Sequence, residues 1–292
     1  MAASLAAAAP VREGPALTAL TWTAPGRERA VLLEQPATCL DPAILASEVK
    51  IGQALFNAPD LLGGQASRAS ISCASCHSNG RRNADFFLAG ISGEPGSADV
   101  SSSFFSLARS DAKFDPKPIP DLALPGKINR NPGSRALEMF IRGLIVEEFS
   151  GAEPSAAQLT ALASYVRAIK GCAAGPSEPR RLANDLALLR ISIGGAQLLL
   201  DRGDVKGGRV LIKAARFRLG LIDERMTGPS NKSVRASLLD ASHKLAELPP
   251  RGDQLTSWLI RFERTVTPQL ARNEKRSLYD PATLDHWLAV RR

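Results

Sequence analysis

Aromatic residues are scarce in this chain, 5% of 292 positions, so its core must lean on Leu, Ile, Val and Ala, a mixture that favours helices. Long apolar runs are lacking too. The longest within the body of the chain, residues 191–200, is closed by Arg190 and Asp201, well short of the roughly 20 residues a membrane-spanning helix needs. An integral helical membrane protein is thereby excluded. Wholesale disorder is excluded as well, because 44% of the residues are hydrophobic and 23% charged. Cysteine, histidine and methionine are rare, with four, three and three copies, which makes their spacing informative.

What the chain does have is an uneven charge. Residues 180–292 carry 21 Lys and Arg against 12 Asp and Glu, whereas residues 1–179 carry 16 against 17. The asymmetry predicts two units with different surfaces, the second basic and suited to an anionic partner.

Two of the four cysteines sit in Ser72-Cys73-Ala74-Ser75-Cys76-His77, a C-x-x-C-H run. Covalent haem attachment requires this spacing: two thiols add across the two vinyl groups, and the next residue offers an imidazole to the iron. A redox-active pair or a zinc site can also use C-x-x-C. Zinc needs two further ligands at suitable spacing, and no second Cys-x-x-Cys or His-x-x-x-His pair exists. A thioredoxin-like pair needs a βαβ context that the neighbouring sequence does not supply. The expected cofactor is one covalently attached haem c, bound by Cys73, Cys76 and His77.

Haem is attached in this way outside the cytoplasm, so the expected location is periplasmic or otherwise exported. The first ten residues have no basic region and only a short apolar stretch, resembling the tail of a signal peptide or the start of a mature chain. An oxidising compartment also permits a disulfide between Cys39 and Cys172, closing the haem region at its two ends; the alternative is two unpaired small core residues.

Along the chain, residues 17–24 alternate, and Pro25-Gly26 then separates them from residues 30–33, which predicts a β-hairpin or extended arm within residues 1–40. Residues 42–57 read as a helix opened by Asp41-Pro42. Residues 78–135 are rich in Gly, Ser, Asn and Pro and predict irregular wrapping around something apolar. Helical spacing returns at 135–149 and 156–170, the latter stopped by Gly171. After a linker at 176–179, helices are expected over 181–201, 205–226, 232–248 and 253–274, forming an antiparallel bundle that a short helix at 281–290 caps. The fold class is therefore mainly α, with units at 41–175 and 180–292.

The order of Ile51-Gly52-Gln53-Ala54-Leu55-Phe56, the haem motif and Leu159-Thr160-Ala161-Leu162-Ala163-Ser164-Tyr165-Val166 resembles a class I c-type cytochrome domain. Within that group residues 45–172, under half of the chain, look most like the bacterial cytochrome c peroxidase and MauG-like family. The resemblance implies that the first and last helices of the domain cross beside the haem, with Gly52 allowing close approach and Phe56 and Tyr165 filling the crossing. That family carries two haems, one relaying electrons and one reacting with peroxide. Here there is a single C-x-x-C-H, and residues 180–292 contain no cysteine, so the two-haem mechanism is not open to this chain alone.

His77 is expected to be the proximal ligand. Met139, 62 residues further on, is the candidate distal one; as a thioether on the sixth position it would make the site an electron carrier. The competing reading is a core methionine on a helix face, since its surroundings read as helix. Lys127 is a minor candidate, and Lys127, Arg130 and Arg135 are placed to pair haem propionates. His243 and His286 read as solvated. Arg209, Lys213 and Arg216 form one charged helix flank, either solvated or docking to an acidic redox partner or an anionic membrane surface. Nucleic acid is not an expected partner. The resulting expectation is electron transfer. The alternative is a peroxidase-like haem enzyme or sensor with an open sixth position, although no spare histidine within 45–172 stands ready as a distal acid or base. A structural subunit stabilised by its haem is a third possibility.

Overall fold

The computed structural model describes residues 17–44, 46–106, 108–173 and 175–290. The described chain is mainly helical, as the composition predicts. Its front part begins with two short helices, α1 (Thr18–Thr21) and α2 (Glu28–Leu33), where the alternation had predicted a hairpin or arm. The alternating residues instead sit on helical turns, and Leu17 and Leu32 bury against Leu278 and Leu284 from the far end of the chain. Residues 1–16 of the expected arm lie outside the described residues.

Strands β1 (Glu34–Pro36) and β2 (Cys39–Leu40) follow, then α3 (Ala46–Phe56), a 3-10 turn at Pro59–Leu61, α4 (Gly64–Arg68) and the motif turn α5 (Cys73–Cys76). Residues 78–135 wrap irregularly as predicted, stitched by the two-residue pair β3 (Ser97–Ala98) and β4 (Lys117–Pro118). Next come α6 (Ala136–Gly143), which runs on into a π turn at Leu144–Glu148, and α7 (Ala156–Ala168), opened by a capping box of Ser155 and Gln158. The helical spacing had suggested α7 up to residue 170. The last two residues, β5 (Ile169–Lys170), leave the helix and pair antiparallel with β2. In the same way β6 (Ser177–Pro179) pairs with β1, so the expected linker is a strand.

The C-terminal helices are α8 (Leu182–Asp201), α9 (Val205–Arg225), α10 (Lys232–Glu247), α11 (Gly252–Thr265), α12 (Thr267–Asn273) and α13 (Pro281–Val290). The single helix expected over 253–274 is broken at Val266, because Pro268 in the first turn of α12 has no N–H and its ring clashes with the preceding turn. α8 packs on α9, α9 on α10 and α11 on α8, while α3 packs on both α7 and α8. One continuous hydrophobic core therefore includes Ile51, Leu55 and Tyr165 as well as Leu189, Ile193 and Leu219. The change of charge near residue 180 is a change of surface and not a break in the core. Arg202 reaches Glu48 at 2.6 Å and Lys213 reaches Asp60 at 3.2 Å, tying the basic helices to the front part. Among the described residues, no helix is long and apolar enough to cross a membrane.

Candidate functional site

The C-x-x-C-H run folds as one helical turn because Ser72 and Ser75 cap it reciprocally, the Ser72 N–H donating to the Ser75 hydroxyl at 3.0 Å. Its C-terminal carbonyls are taken up by Asn83, whose side-chain amide donates to the Ser75 carbonyl at 2.8 Å and whose backbone N–H donates to the Cys76 carbonyl at 3.0 Å. Cys73 and Cys76 thus project from one turn, three residues apart, with neither bonded to the other. Burial pushes both thiols up to about 12, so they are neutral at neutral pH.

His77 leaves the turn with a non-helical backbone, and its Nδ1 donates to the Pro120 carbonyl at 3.1 Å. Burial pushes the imidazole down to about 4, against the opposing influence of that hydrogen bond and of Asp121. The ring is therefore neutral, with its proton on Nδ1 and a lone pair on Nε2. The Pro120 segment is held in place by Arg81, whose guanidinium grips Asp121 in a bidentate pair at 2.7 Å and donates to the Ala37 carbonyl at 3.1 Å. Asn79 ties the following turn to β1 by donating to the Pro36 carbonyl at 3.1 Å. Two unlinked thiols on one turn and an imidazole oriented by a carbonyl are the donor set that haem c requires. Among the described residues there is no cluster of three or more His, Cys, Asp or Glu of the kind a zinc site needs.

Helices α3 and α7 meet beside the motif at Gly52, Phe56 and Tyr165, the residues that the resemblance singles out. A Cβ on Gly52 would lie 2.0 Å from the Ala161 carbonyl oxygen and 2.7 Å from Tyr165 Cβ, so only glycine lets α3 approach α7 this closely. The Phe56 ring stands edge-on to Tyr165 at 5.2 Å and 6.3 Å from the His77 ring. The sulfurs of Cys39 and Cys172 lie 2.17 Å apart, bridging the β2 and β5 ends.

Other candidates are placed differently. Met139 sits on α6, a regular helix packed on α7, with 56% of its surface exposed. Arg130, expected beside the propionates, commits its guanidinium to the backbone carbonyls of Leu122, Val166 and Arg167 and so locks its loop to the end of α7. Lys127 and Arg135 are exposed, as are His243 and His286. In the basic flank, Lys213 is exposed and paired to Asp60, Arg216 donates to Ser242, and Arg209 is exposed. The Pro120 carbonyl and the Arg81–Asp121 pair were not anticipated; a backbone oxygen has no side-chain signature, and Arg81 lies in a stretch that reads as irregular loop. No family model matches the chain, and neither a curated protein nor a solved structure matches it.

Proposed function

We propose that the chain is an exported mono-haem c-type cytochrome that passes single electrons to or from a redox partner. In this reading residues 41–175 form a class I cytochrome c-like unit, most like the bacterial cytochrome c peroxidase and MauG-like family. Residues 180–292 form an antiparallel helical bundle that orients that unit in a complex. The observation that carries the reading is the combination of two free thiols three residues apart with a neutral imidazole whose Nδ1 is engaged by Pro120.

Haem c, when bound, supplies a one-electron couple. Cys73 and Cys76 would tether it through their thiols, and His77 would offer Nε2 to the iron, with the Pro120 carbonyl fixing the tautomer and the plane of the ring. Arg81 and Asp121 hold Pro120 in place. The Cys39–Cys172 pair supports a periplasmic or otherwise exported location. The exposed basic flank favours an acidic docking face on the partner protein, with an anionic membrane surface as the lesser option.

Expression alongside a haem-attachment system in the periplasm should yield a coloured protein whose denatured mass exceeds that of the bare chain by one haem. Replacing Cys73 and Cys76 by Ala should abolish both signals. A colourless protein of unmodified mass would falsify the reading. The exposure of Met139 on a regular helix favours a second reading, a peroxidase-like haem enzyme or sensor with an open sixth position. A high-spin ferric spectrum with fast peroxide reaction would select it over the carrier.

A further inference from the structure

Adjoining the motif turn lies a cavity of about 150 Å³, bordered by α1, α8 and α9 and reached by Arg180, Arg218, Asn57, Ser70 and Ser78. Arg180 follows β6, and its backbone N–H is pinned to the Leu33 carbonyl at 2.7 Å. Its side chain has no ion-pair partner among the described residues, and its Nε is buried without a hydrogen bond. Arg218, by contrast, donates to Asp185 at 2.8 Å and to Asn57 at 3.3 Å.

The acidic groups nearby are already engaged. Asp185 also accepts the Tyr279 hydroxyl at 2.6 Å. Glu224 accepts from the Thr18 N–H and hydroxyl at 2.8 and 2.6 Å, and Glu178 accepts from Gln35 at 2.6 Å. Arg225 donates to the Leu32 carbonyl and lies over the Tyr279 ring at 4.7 Å. Burial, reinforced by Arg225 and opposed by Asp185, pushes Arg180 down to about 10, which leaves it cationic at neutral pH. Asp185 is shared electrostatically among Arg180, Arg218 and Arg225, and a desolvated cation without a hydrogen-bonding anion of its own is costly in free energy.

We propose that this cavity binds a small oxyanion, gripped by the guanidinium fork of Arg180 with Arg218 as the second cation. The planar fork matches a carboxylate or phosphate oxygen pair. The inference does not depend on the electron-transfer reading.

The test is thermal denaturation of the full-length protein titrated with sodium phosphate, sodium acetate and, at matched ionic strength, sodium chloride. A saturable rise in melting temperature with phosphate or acetate, not reproduced by chloride, is expected; the salt that saturates identifies a phosphate-type or a carboxylate-type ligand. Arg180→Gln should raise the half-saturating concentration at least about tenfold, and in anion-free buffer it should melt no lower than the parent. Should that variant not fold, Arg180→Lys, which keeps the charge and loses the fork, serves the same comparison. Equal responses to all three salts, or an unchanged response after either substitution, would overturn the proposal.

Discussion

His77 and Pro120 stand 43 residues apart, yet the imidazole Nδ1 donates to the Pro120 carbonyl across 3.1 Å. The backbone oxygen cannot be removed by mutation, but what holds it can. Arg81 and Asp121 are under one-fifth exposed and doubly hydrogen-bonded, so Arg81→Gln should cost about 1–2 kcal/mol in urea unfolding. The same substitution should speed hydrogen exchange at His77 Nδ1 while leaving α9 amides unchanged. Unaltered exchange at the ring would show that Pro120 is positioned by something else.

The C-x-x-C-H turn and the Cys39–Cys172 pairing were legible because each depends on residue type at short spacing or at the two ends of one segment, whereas the crossing of Gly52 with Tyr165 came from the resemblance to class I c-type cytochromes. The N-terminal helices were not, because the side chains that pair with Leu17 and Leu32 come from Leu278 and Leu284, more than 240 positions away. Nor was the cluster of Asp185, Arg218, Arg225 and Tyr279, which looks like ordinary surface charge until three distant segments bring it inside. The break before Pro268 was readable from the proline rule, yet the apolar spacing on either side reads as one helix. Met139 shows the reverse: a separation familiar from class I cytochromes falls on an exposed position of a helix.

At the crossing, Gly52→Ala forces a methyl onto the Ala161 carbonyl, a backbone atom that can yield only if α3 and α7 part. A loss of at least about 3 kcal/mol is expected in chemical denaturation. Gly220→Ala on α9, where a new Cβ meets nothing within 4 Å, should instead stabilise by about 0.5–1 kcal/mol. Similar responses from the two variants would mean that the close approach is relaxed at little cost.

Acid should unfold the protein through its buried carboxylates. Burial pushes the Glu138 carboxyl up, but its hydrogen bonds to Arg167 more than reverse this; Asp185 is likewise held below its usual range by Arg218, Arg225 and Arg180. Each group releases its proton more readily folded than unfolded. Their stabilisation is therefore complete above the unfolded values, near pH 4, and is lost as pH falls through the lower folded ones. Glu138→Gln should cost about 3 kcal/mol at neutral pH and flatten the stability curve below about pH 4. A parallel acid limb in that variant would place the acid sensitivity elsewhere.

The Cys39–Cys172 bridge spans 133 residues and joins the two ends of the motif-bearing unit. Replacing both cysteines by Ser should lower stability by about 2–5 kcal/mol, and reductant should destabilise the parent but leave the double variant unchanged. Intact mass under non-reducing, thiol-alkylating conditions gives an independent check, since two alkylated cysteines at these positions would show that the bridge does not form.

Met139→Ala separates the two readings of the iron site with little structural disturbance. Because more than half of the side chain is exposed, its removal should change unfolding free energy by no more than about 0.5 kcal/mol. Any spectral change then reports ligation and not collapse of the fold. If the thioether reaches the sixth position in the haem-bearing protein, the variant loses the far-red band of thioether-ligated ferric haem, becomes high-spin and gains affinity for small exogenous ligands. If the sixth position is already open, the ferric spectra of parent and variant superimpose, Met139 leaves the ligand set, and the enzyme or sensor reading displaces the carrier.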